Sequence, residues 1–171
     1  FIEATRQLYP AADLLCSNEE SMKAHNRAAF LSQVAASDCD LVMMQRSHFE
    51  RIPNSHEMIE SFFDEQRALV DLGIEVIGEG DKKKQRQLAK EKKRLDNECR
   101  KMQERLEDLG EGTLTWDQLG IDLLMVDEVH REKKPFFFSK ADRIKGIDKT
   151  ASNRGTNLLL KAREIQDRRG G

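Results

Sequence analysis

The residues best suited to chemistry in this sequence are two carboxylates and an imidazole that directly follow an apolar run. The run covers residues 123–126, and Asp127, Glu128 and His130 come after it. One carboxylate of such a pair can hold Mg²⁺ beside the phosphates of a nucleotide, often through water. The other can position and deprotonate an attacking water. The pattern predicts hydrolysis of a phosphoanhydride, and the alternative is that the two acids only cap a loop.

The segment that must position this pair is the apolar stretch IDLLMV, residues 121–126, which we predict to be a buried strand. Two other short apolar runs, in residues 12–17 and 39–44, are also predicted to be strands. Strands that alternate with helices and are apolar throughout indicate a parallel sheet covered on both faces. Ligands lie at the carboxyl ends of the strands in such sheets, and Asp127 and Glu128 are expected at one of these ends.

Helices are predicted wherever apolar residues recur at helical spacing. These segments are residues 1–8, 20–36, 55–77, 81–108 and 156–169. Two short helical turns are predicted from capping boxes, in which Ser or Thr is followed three residues later by Glu or Gln. The boxes are Ser47 with Glu50 and Thr115 with Gln118, and Gly120 is expected to end the second turn.

The longest predicted helix, residues 81–108, has one apolar row at seven-residue spacing, formed by Leu88, Leu95, Met102 and Leu109. A single row is too little for a strong two-stranded coiled coil, so we expect the helix to pack on the one before it as a hairpin. The segment has eleven Lys or Arg against seven Asp or Glu. This excess fits a solvated helix face, and contact with DNA is the alternative.

The composition sets broad limits. The chain has 171 residues, a net charge of −2 and three cysteines without CxxC spacing. A disulfide framework or a zinc site is therefore not indicated, and we expect reduced thiols in a cytoplasmic protein. No apolar run is long enough for a membrane span, and no secretory signal is visible. The chain opens and closes in mid-pattern without an initiator Met, which suggests a piece of a longer polypeptide.

The segment LGIDLLMVDEVHREKKP, residues 119–135, resembles motif II of superfamily-two DExH helicases and translocases, particularly the Swi/Snf-like branch. The order of blocks is similar to the large helicase proteins of phages and mobile elements, which are often fused to adenine-specific DNA methylases. The other blocks are FIEATRQLYPAADLLC at the start, CDLVMMQRSHFERIP in residues 39–53 and ASNRGTNLLLKAREI in residues 151–165.

This resemblance implies an α/β, RecA-like parallel-sheet lobe of the P-loop NTPase type. Residues 1–53 would form its first part, residues 54–112 an inserted helical hairpin, and residues 113–171 its second part with the DExH box. The cofactors would be ATP and Mg²⁺. No G-x-x-x-x-G-K-(S/T) phosphate loop occurs in the chain, and the family pattern places it before Phe1. This segment alone should therefore hydrolyse essentially no ATP.

The same resemblance implies contacts with double-stranded DNA. Ser47 and Arg51 occupy the place of motif Ib, although a helix cap and a solvated Arg explain them equally well. A second set of basic residues follows the DExH box: Lys133, Lys134, Lys140, Arg143, Lys145 and Arg154. Phe136, Phe137 and Phe138 lie among them, either as stacking residues or, as we prefer, as core. Arg154 can instead anchor its loop to a carboxylate.

We therefore predict part of a DNA-dependent ATPase in which Asp127 binds Mg²⁺, Glu128 activates water and His130 couples hydrolysis to movement. The main alternative is a non-catalytic helical module that docks DNA or a protein partner. A metal-dependent nuclease is disfavoured because the other two predicted strands lack acids at their carboxyl ends. The remaining histidines, His25, His48 and His56, have no metal-ligand spacing and are predicted to lie at the surface.

Overall fold

The structure is a computed structural model that describes residues 2–77, 81–109, 112–132, 135 and 152–170. Among these residues the fold is mixed and mostly helical, with a two-stranded parallel sheet. The chain divides into two compact units, the first from residues 1–53 and 111–122 and the second from residues 54–110 and 123–171. The helices and strands, in chain order, are α1 (Ile2–Leu8), β1 (Leu14–Cys16), α2 (Ala24–Ala36), β2 (Leu41–Met43), α3 (Arg46–Glu50), α4 (His56–Ile77), α5 (Lys82–Glu107) and α6 (Asn153–Arg168).

The sheet lies in the first unit and confirms two of the predicted strands. β1 and β2 pair in parallel, with Leu14 opposite Leu41 and Cys16 opposite Met43. Helix α2 connects them, because parallel neighbours need a crossover rather than a tight turn. All six strand residues are only partly buried, so the expected cover on both faces is not seen here.

The core of the first unit forms between α2 and a short 3-10 turn, Trp116–Leu119. The buried face of α2 is Phe30, Leu31 and Val34. The ring of Trp116 meets Phe49 edge to face, with centroids 5.4 Å apart. The turn itself was predicted correctly.

Two local features and one contact with a distant residue define this turn. The backbone N–H of Thr115 donates to Gln118 Oε1 at 3.0 Å. Gly120 ends the turn with φ 69°, a left-handed conformation that glycine adopts without steric cost. The backbone N–H of Trp116 donates to the Pro53 carbonyl at 2.8 Å, which fixes the turn beside the end of α3.

The second unit is built on α4 and α5, which pack along their length. Of the predicted apolar row, Leu95 is 1% exposed, and Leu88 and Met102 pack against the same core. The buried members from α4 are Ile59, Phe62, Phe63 and Val70. Leu88, Leu95 and Met102 therefore attach α5 to the preceding helix as their spacing predicted, whereas Leu109 lies after the end of α5 and is exposed.

Polar contacts fix the relative direction of the two helices. Arg67 Nε donates to Asp96 Oδ1 at 2.9 Å, and Lys92 Nζ donates to Asp71 Oδ1 at 2.7 Å. Gln103 also contacts Glu60. Residue numbers rise along α4 as those of their partners fall along α5, so the helices run antiparallel.

Helix α6 completes the second unit by packing on α4. Leu160 joins the α4–α5 core, and Arg163 Nη2 lies 2.6 Å from Glu65 Oε2. The same guanidinium stands 5.8 Å from the centre of the Phe62 ring, at the distance of a cation–π contact. The predicted helix over 156–169 is confirmed, and it begins three residues earlier, after the N-cap Ser152.

Two local predictions are wrong. Residues 121–126 form no strand, and Leu123 and Met125 are 68% and 73% exposed. An apolar run becomes a strand only when a neighbouring strand supplies its hydrogen bonds, and no described segment pairs with this one. The Ser47–Glu50 box is also absent, because α3 begins at Arg46 with Gln45 as its N-cap.

None of the helices in the described part of the chain combines the length and the apolar character that a membrane crossing needs.

Candidate functional site

The carboxylate pair lies on an exposed turn of the second unit. Asp127 Oδ1 accepts a hydrogen bond from the backbone N–H of Glu128 at 2.8 Å. Glu128 has φ 55° and ψ 37°, and it is the one non-glycine residue with positive φ among those the structure describes. The left-handed region costs an L-residue about 1–2 kcal/mol. Backbone strain of this kind concentrates at functional sites, which makes this turn a candidate site.

His130 lies beside Glu128. It belongs to a single 3-10 turn, Val129–Arg131, and its Nδ1 is 3.0 Å from Glu128 Oε2. Both side chains are more than half exposed, so the pair adds at most about 1 kcal/mol to stability. The contact can orient the carboxylate of Glu128, because an imidazole N–H that donates to it holds this side chain in one direction. Asp127, Glu128 and His130 are close together by sequence, and the structure adds the contact between Glu128 and His130.

The donor set of this turn suits Mg²⁺ bound to a nucleotide better than a metal held by protein alone. In the described residues no group of three or more His, Cys, Asp or Glu side chains is arranged for a metal ion. Mg²⁺ commonly takes one or two carboxylates and fills its remaining positions with water and phosphate oxygens. Asp127 is exposed, and its second oxygen is left for such a contact.

Ser47 and Arg51, the residues predicted to contact DNA, lie in the first unit. Ser47 is exposed in the first turn of α3, directly after Arg46. Arg51 follows α3, and its Nη1 donates to the Met22 carbonyl at 3.3 Å. Burial, and then the positive charge of Arg51, lower the pKa of Arg27. The charges of Arg27 and Arg51 therefore act on one another, and one donor of Arg51 is used to hold the loop before α2.

Most of the predicted basic residues after the DExH box lie outside the described residues. Arg154 is described, and it is exposed in the first turn of α6 with an interaction of its own. The other predicted residues, Lys133, Lys134, Lys140, Arg143 and Lys145, lie outside the described residues, as do Phe136, Phe137 and Phe138.

His48 was predicted to lie at the surface, but its side chain is fully buried. Its Nδ1 is 2.8 Å from Ser17 Oγ, and its Nε2 is 3.2 Å from Glu19 Oε1. Both ring nitrogens are therefore satisfied, as burial of an imidazole requires.

The position of His48 also has a consequence for the sheet edge. Ser17 directly follows β1, and His48 lies in α3, soon after β2. The imidazole thus ties together the two segments that leave the carboxyl edge of the sheet. The partners of His48 are 29 and 31 residues away, which explains why no local pattern revealed them.

Comparison with known proteins gives one match. A family model described as "Probable helicase domain" matches residues 1–171, the whole chain. No curated protein and no solved structure matches significantly.

Proposed function

Because the chain belongs to the probable helicase domain family, we propose that it forms part of a DNA-dependent ATPase motor. In this proposal it is an α/β, RecA-like lobe of the Swi/Snf-like DExH type, and residues 127–130 are its Walker B motif. The observation that carries the proposal is the turn itself, where Glu128 and His130 are 3.0 Å apart and Asp127 is adjacent.

Asp127 is assigned to Mg²⁺ and, through it, to ATP. Mg²⁺ would neutralise charge on the β- and γ-phosphates when bound. Asp127 fits this role because its carboxylate is exposed and one of its oxygens is already fixed by the backbone N–H of Glu128. A preset orientation lowers the entropic cost of taking up the nucleotide.

Glu128 is assigned to the attacking water. Its carboxylate can accept a proton from water, and the contact with His130 Nδ1 restricts the directions that it samples. His130 is assigned to coupling ATP hydrolysis to movement. A change in the protonation or contacts of Glu128 would directly alter the contact between Glu128 and His130. Movement of the 3-10 turn that carries His130 would then pass the nucleotide state to neighbouring segments.

The RecA-like assignment requires residues 121–126 to form a buried strand, and the described structure has none there. Leu123 and Met125 are exposed. A RecA-like sheet would have to bury them by adding a strand on either side. The chain contains no phosphate loop, so the proposed activity belongs to a protein in which one completes the site.

The proposed DNA partner is a duplex, contacted by Ser47 and Arg51 and by the basic residues from Lys133 to Arg154. Support for the first part is that Ser47 is exposed and that Arg51 lies close enough to Arg27 for their positive charges to interact. Whether a methylase domain is fused in the same protein does not affect these roles.

The proposal is tested by Glu128→Gln in the complete natural protein, with Glu107→Gln as the matched control. Glu107 is exposed at the end of α5, far in sequence from the proposed chemistry. We expect the Glu128 variant to lose ATP hydrolysis by about 100-fold or more and to keep DNA binding. The control should hydrolyse ATP normally.

Unchanged ATPase activity in the Glu128 variant would end the motor assignment. The alternative, a non-catalytic helical module that docks DNA or a protein partner, would then stand, since α4 and α5 would carry the function without the DExH turn.

A further inference from the structure

The positive charge of α5 is concentrated in its first half. Residues 82–94 contain eight Lys or Arg and one acid, Glu91, whereas residues 95–107 contain three Lys or Arg and four acids. The net charge therefore falls from +7 to −1 along one helix. A helix that only needs a solvated face gains nothing from such separation, because alternating signs would solvate it equally well.

Five of these cations form a ribbon on the face turned away from the core. At 100° per residue they fall within a sector of about 100°, opposite the stripe formed by Leu88 and Leu95. All five are exposed. The basic ribbon consists of Lys82, Lys83, Arg86, Lys90 and Lys93.

The positive charges of the basic ribbon are available to an external partner, whereas neighbouring cations on α5 are paired within the protein. Lys84 pairs with Asp81 at 3.1 Å, and Lys92 pairs with Asp71 at 2.7 Å. In the described part of the chain no carboxylate lies within 4.0 Å of a ribbon cation.

The cations of the second half of α5 are partly neutralised. Arg100 Nε is 3.6 Å from Glu104 Oε1, and Lys101 Nζ is 2.9 Å from Glu98 Oε1. These residues are equally exposed, so they offer an internal comparison on the same helix.

We infer that the basic ribbon binds the phosphate backbone of double-stranded DNA. Eleven helical steps separate Lys82 from Lys93, which is about 16 Å. Duplex DNA presents one negative charge per about 1.7 Å of axis, so about nine phosphates fall within the axial length of this row. Four of the five are lysines, which act as point charges and do not fix a base in a bidentate contact. The contact should therefore not depend on sequence.

A membrane surface is the other polyanion that such a helix could meet. A helix that lies in a bilayer interface carries large apolar residues on the face opposite its cations. In α5 that opposite face is occupied, because Leu88, Leu95 and Cys99 pack on α4. DNA is therefore the better partner, and this inference deepens the proposed function by adding a contact on α5.

The test compares two triple variants of the complete natural protein, each of which removes three exposed positive charges from α5. The ribbon variant is Arg86→Gln, Lys90→Gln and Lys93→Gln, and the control variant is Arg100→Gln, Lys101→Gln and Arg105→Gln. Fluorescence anisotropy with two labelled 20-base-pair DNA duplexes of unrelated sequence, in the absence of nucleotide, gives Kd at several salt concentrations. Glutamine is a good helix former, and circular dichroism checks that both variants fold.

We expect the ribbon variant to weaken both duplexes alike, by about tenfold or more at low salt, and to reduce the slope of log K against log salt by about 2–3. The control variant should change Kd by less than about twofold. Equal losses in the two variants, no loss in either, or a ribbon variant that loses binding to vesicles of phosphatidylserine but not to DNA would overturn the inference. Should the triple variant unfold, Lys90→Glu alone must still weaken duplex binding more than Lys101→Glu.

The measurement is separate from the ATPase assignment. It needs no hydrolysis, so it remains readable if Glu128→Gln leaves ATPase activity intact. Conversely, if the basic ribbon does not bind DNA, the proposed roles of Asp127 and Glu128 are still tested separately by Glu128→Gln.

Discussion

The imidazole Nδ1 of His48 lies 2.8 Å from the hydroxyl oxygen of Ser17, in a side chain that is fully buried. This contact joins the segment after β1 to the helix after β2. The stability of the sheet edge therefore depends on a polar residue, whose burial could not be predicted from the pattern of apolar residues.

Replacement of His48 by Ala should destabilise the first unit by about 1–3 kcal/mol, because Ser17 and Glu19 lose a partner and a cavity remains. Urea unfolding followed by tryptophan fluorescence measures this, since Trp116 belongs to the same unit. His25→Ala is the control, with a side chain that is 69% exposed, and it should change the free energy of unfolding by less than about 0.5 kcal/mol. Equal effects of the two substitutions would contradict the structural role of His48.

The single apolar row of α5 gives a second prediction. Leu95 is 1% exposed, and Leu109, which continues the same seven-residue spacing just after the end of α5, is 37% exposed. We expect Leu95→Ala to cost about 2–5 kcal/mol in free energy of unfolding, and Leu109→Ala to cost less than about 1 kcal/mol. Helical circular dichroism in urea provides the measurement. Comparable losses at both positions would show that α5 does not pack on α4 through this row.

Asp81 makes the start of α5 sensitive to acid. Its carboxylate accepts from the backbone N–H of Lys84 at 3.1 Å, and this bond, followed by that to the Lys84 side chain, lowers the pKa of Asp81 from its ordinary 3.8. A lowered pKa in the folded state gives stability that is present above the unfolded pKa and is lost as pH falls through the folded value.

The matching measurement compares the wild-type chain with Asp81→Ala from about pH 5 downward. The wild-type chain should be more stable and more helical at the higher pH, and the difference should shrink as Asp81 takes up its proton. A difference that stays constant with pH would mean that the charged cap does not contribute.

The three cysteines should differ in reactivity. Cys99 is 2% exposed, and burial, together with the negative charge of Glu60, raises the pKa of its thiol. Because the thiolate is the reactive species, Cys99 should react with a disulfide reagent at least about tenfold more slowly than Cys16 or Cys39, which are partly exposed. Mass spectrometry of labelled peptides gives the three rates. Denaturation in urea should abolish the difference, and a fast Cys99 in the folded chain would contradict the packing of α5.

Much of the helical structure was predictable from the sequence, because a helix satisfies its hydrogen bonds within itself and shows its buried face through spacing. The contact of Leu88, Leu95 and Met102 with α4 followed from seven-residue spacing alone. The turn before Gly120 likewise followed from Thr115 and Gln118, which lie three residues apart. The adjacency of Asp127, Glu128 and His130 was also a property of the sequence.

The tertiary structure decided everything that needs a partner distant along the chain. Leu14 and Leu41 form a parallel pair because a second strand lies alongside the first. The apolar residues 121–126 have no such neighbour among the described segments, and Leu123, Met125 and Val126 stay exposed. His48 is buried because Ser17 and Glu19 satisfy its two nitrogens from about thirty residues away. Apolar composition and spacing thus determine which segments can be buried, but hydrogen-bonding partners across the fold determine which of them are.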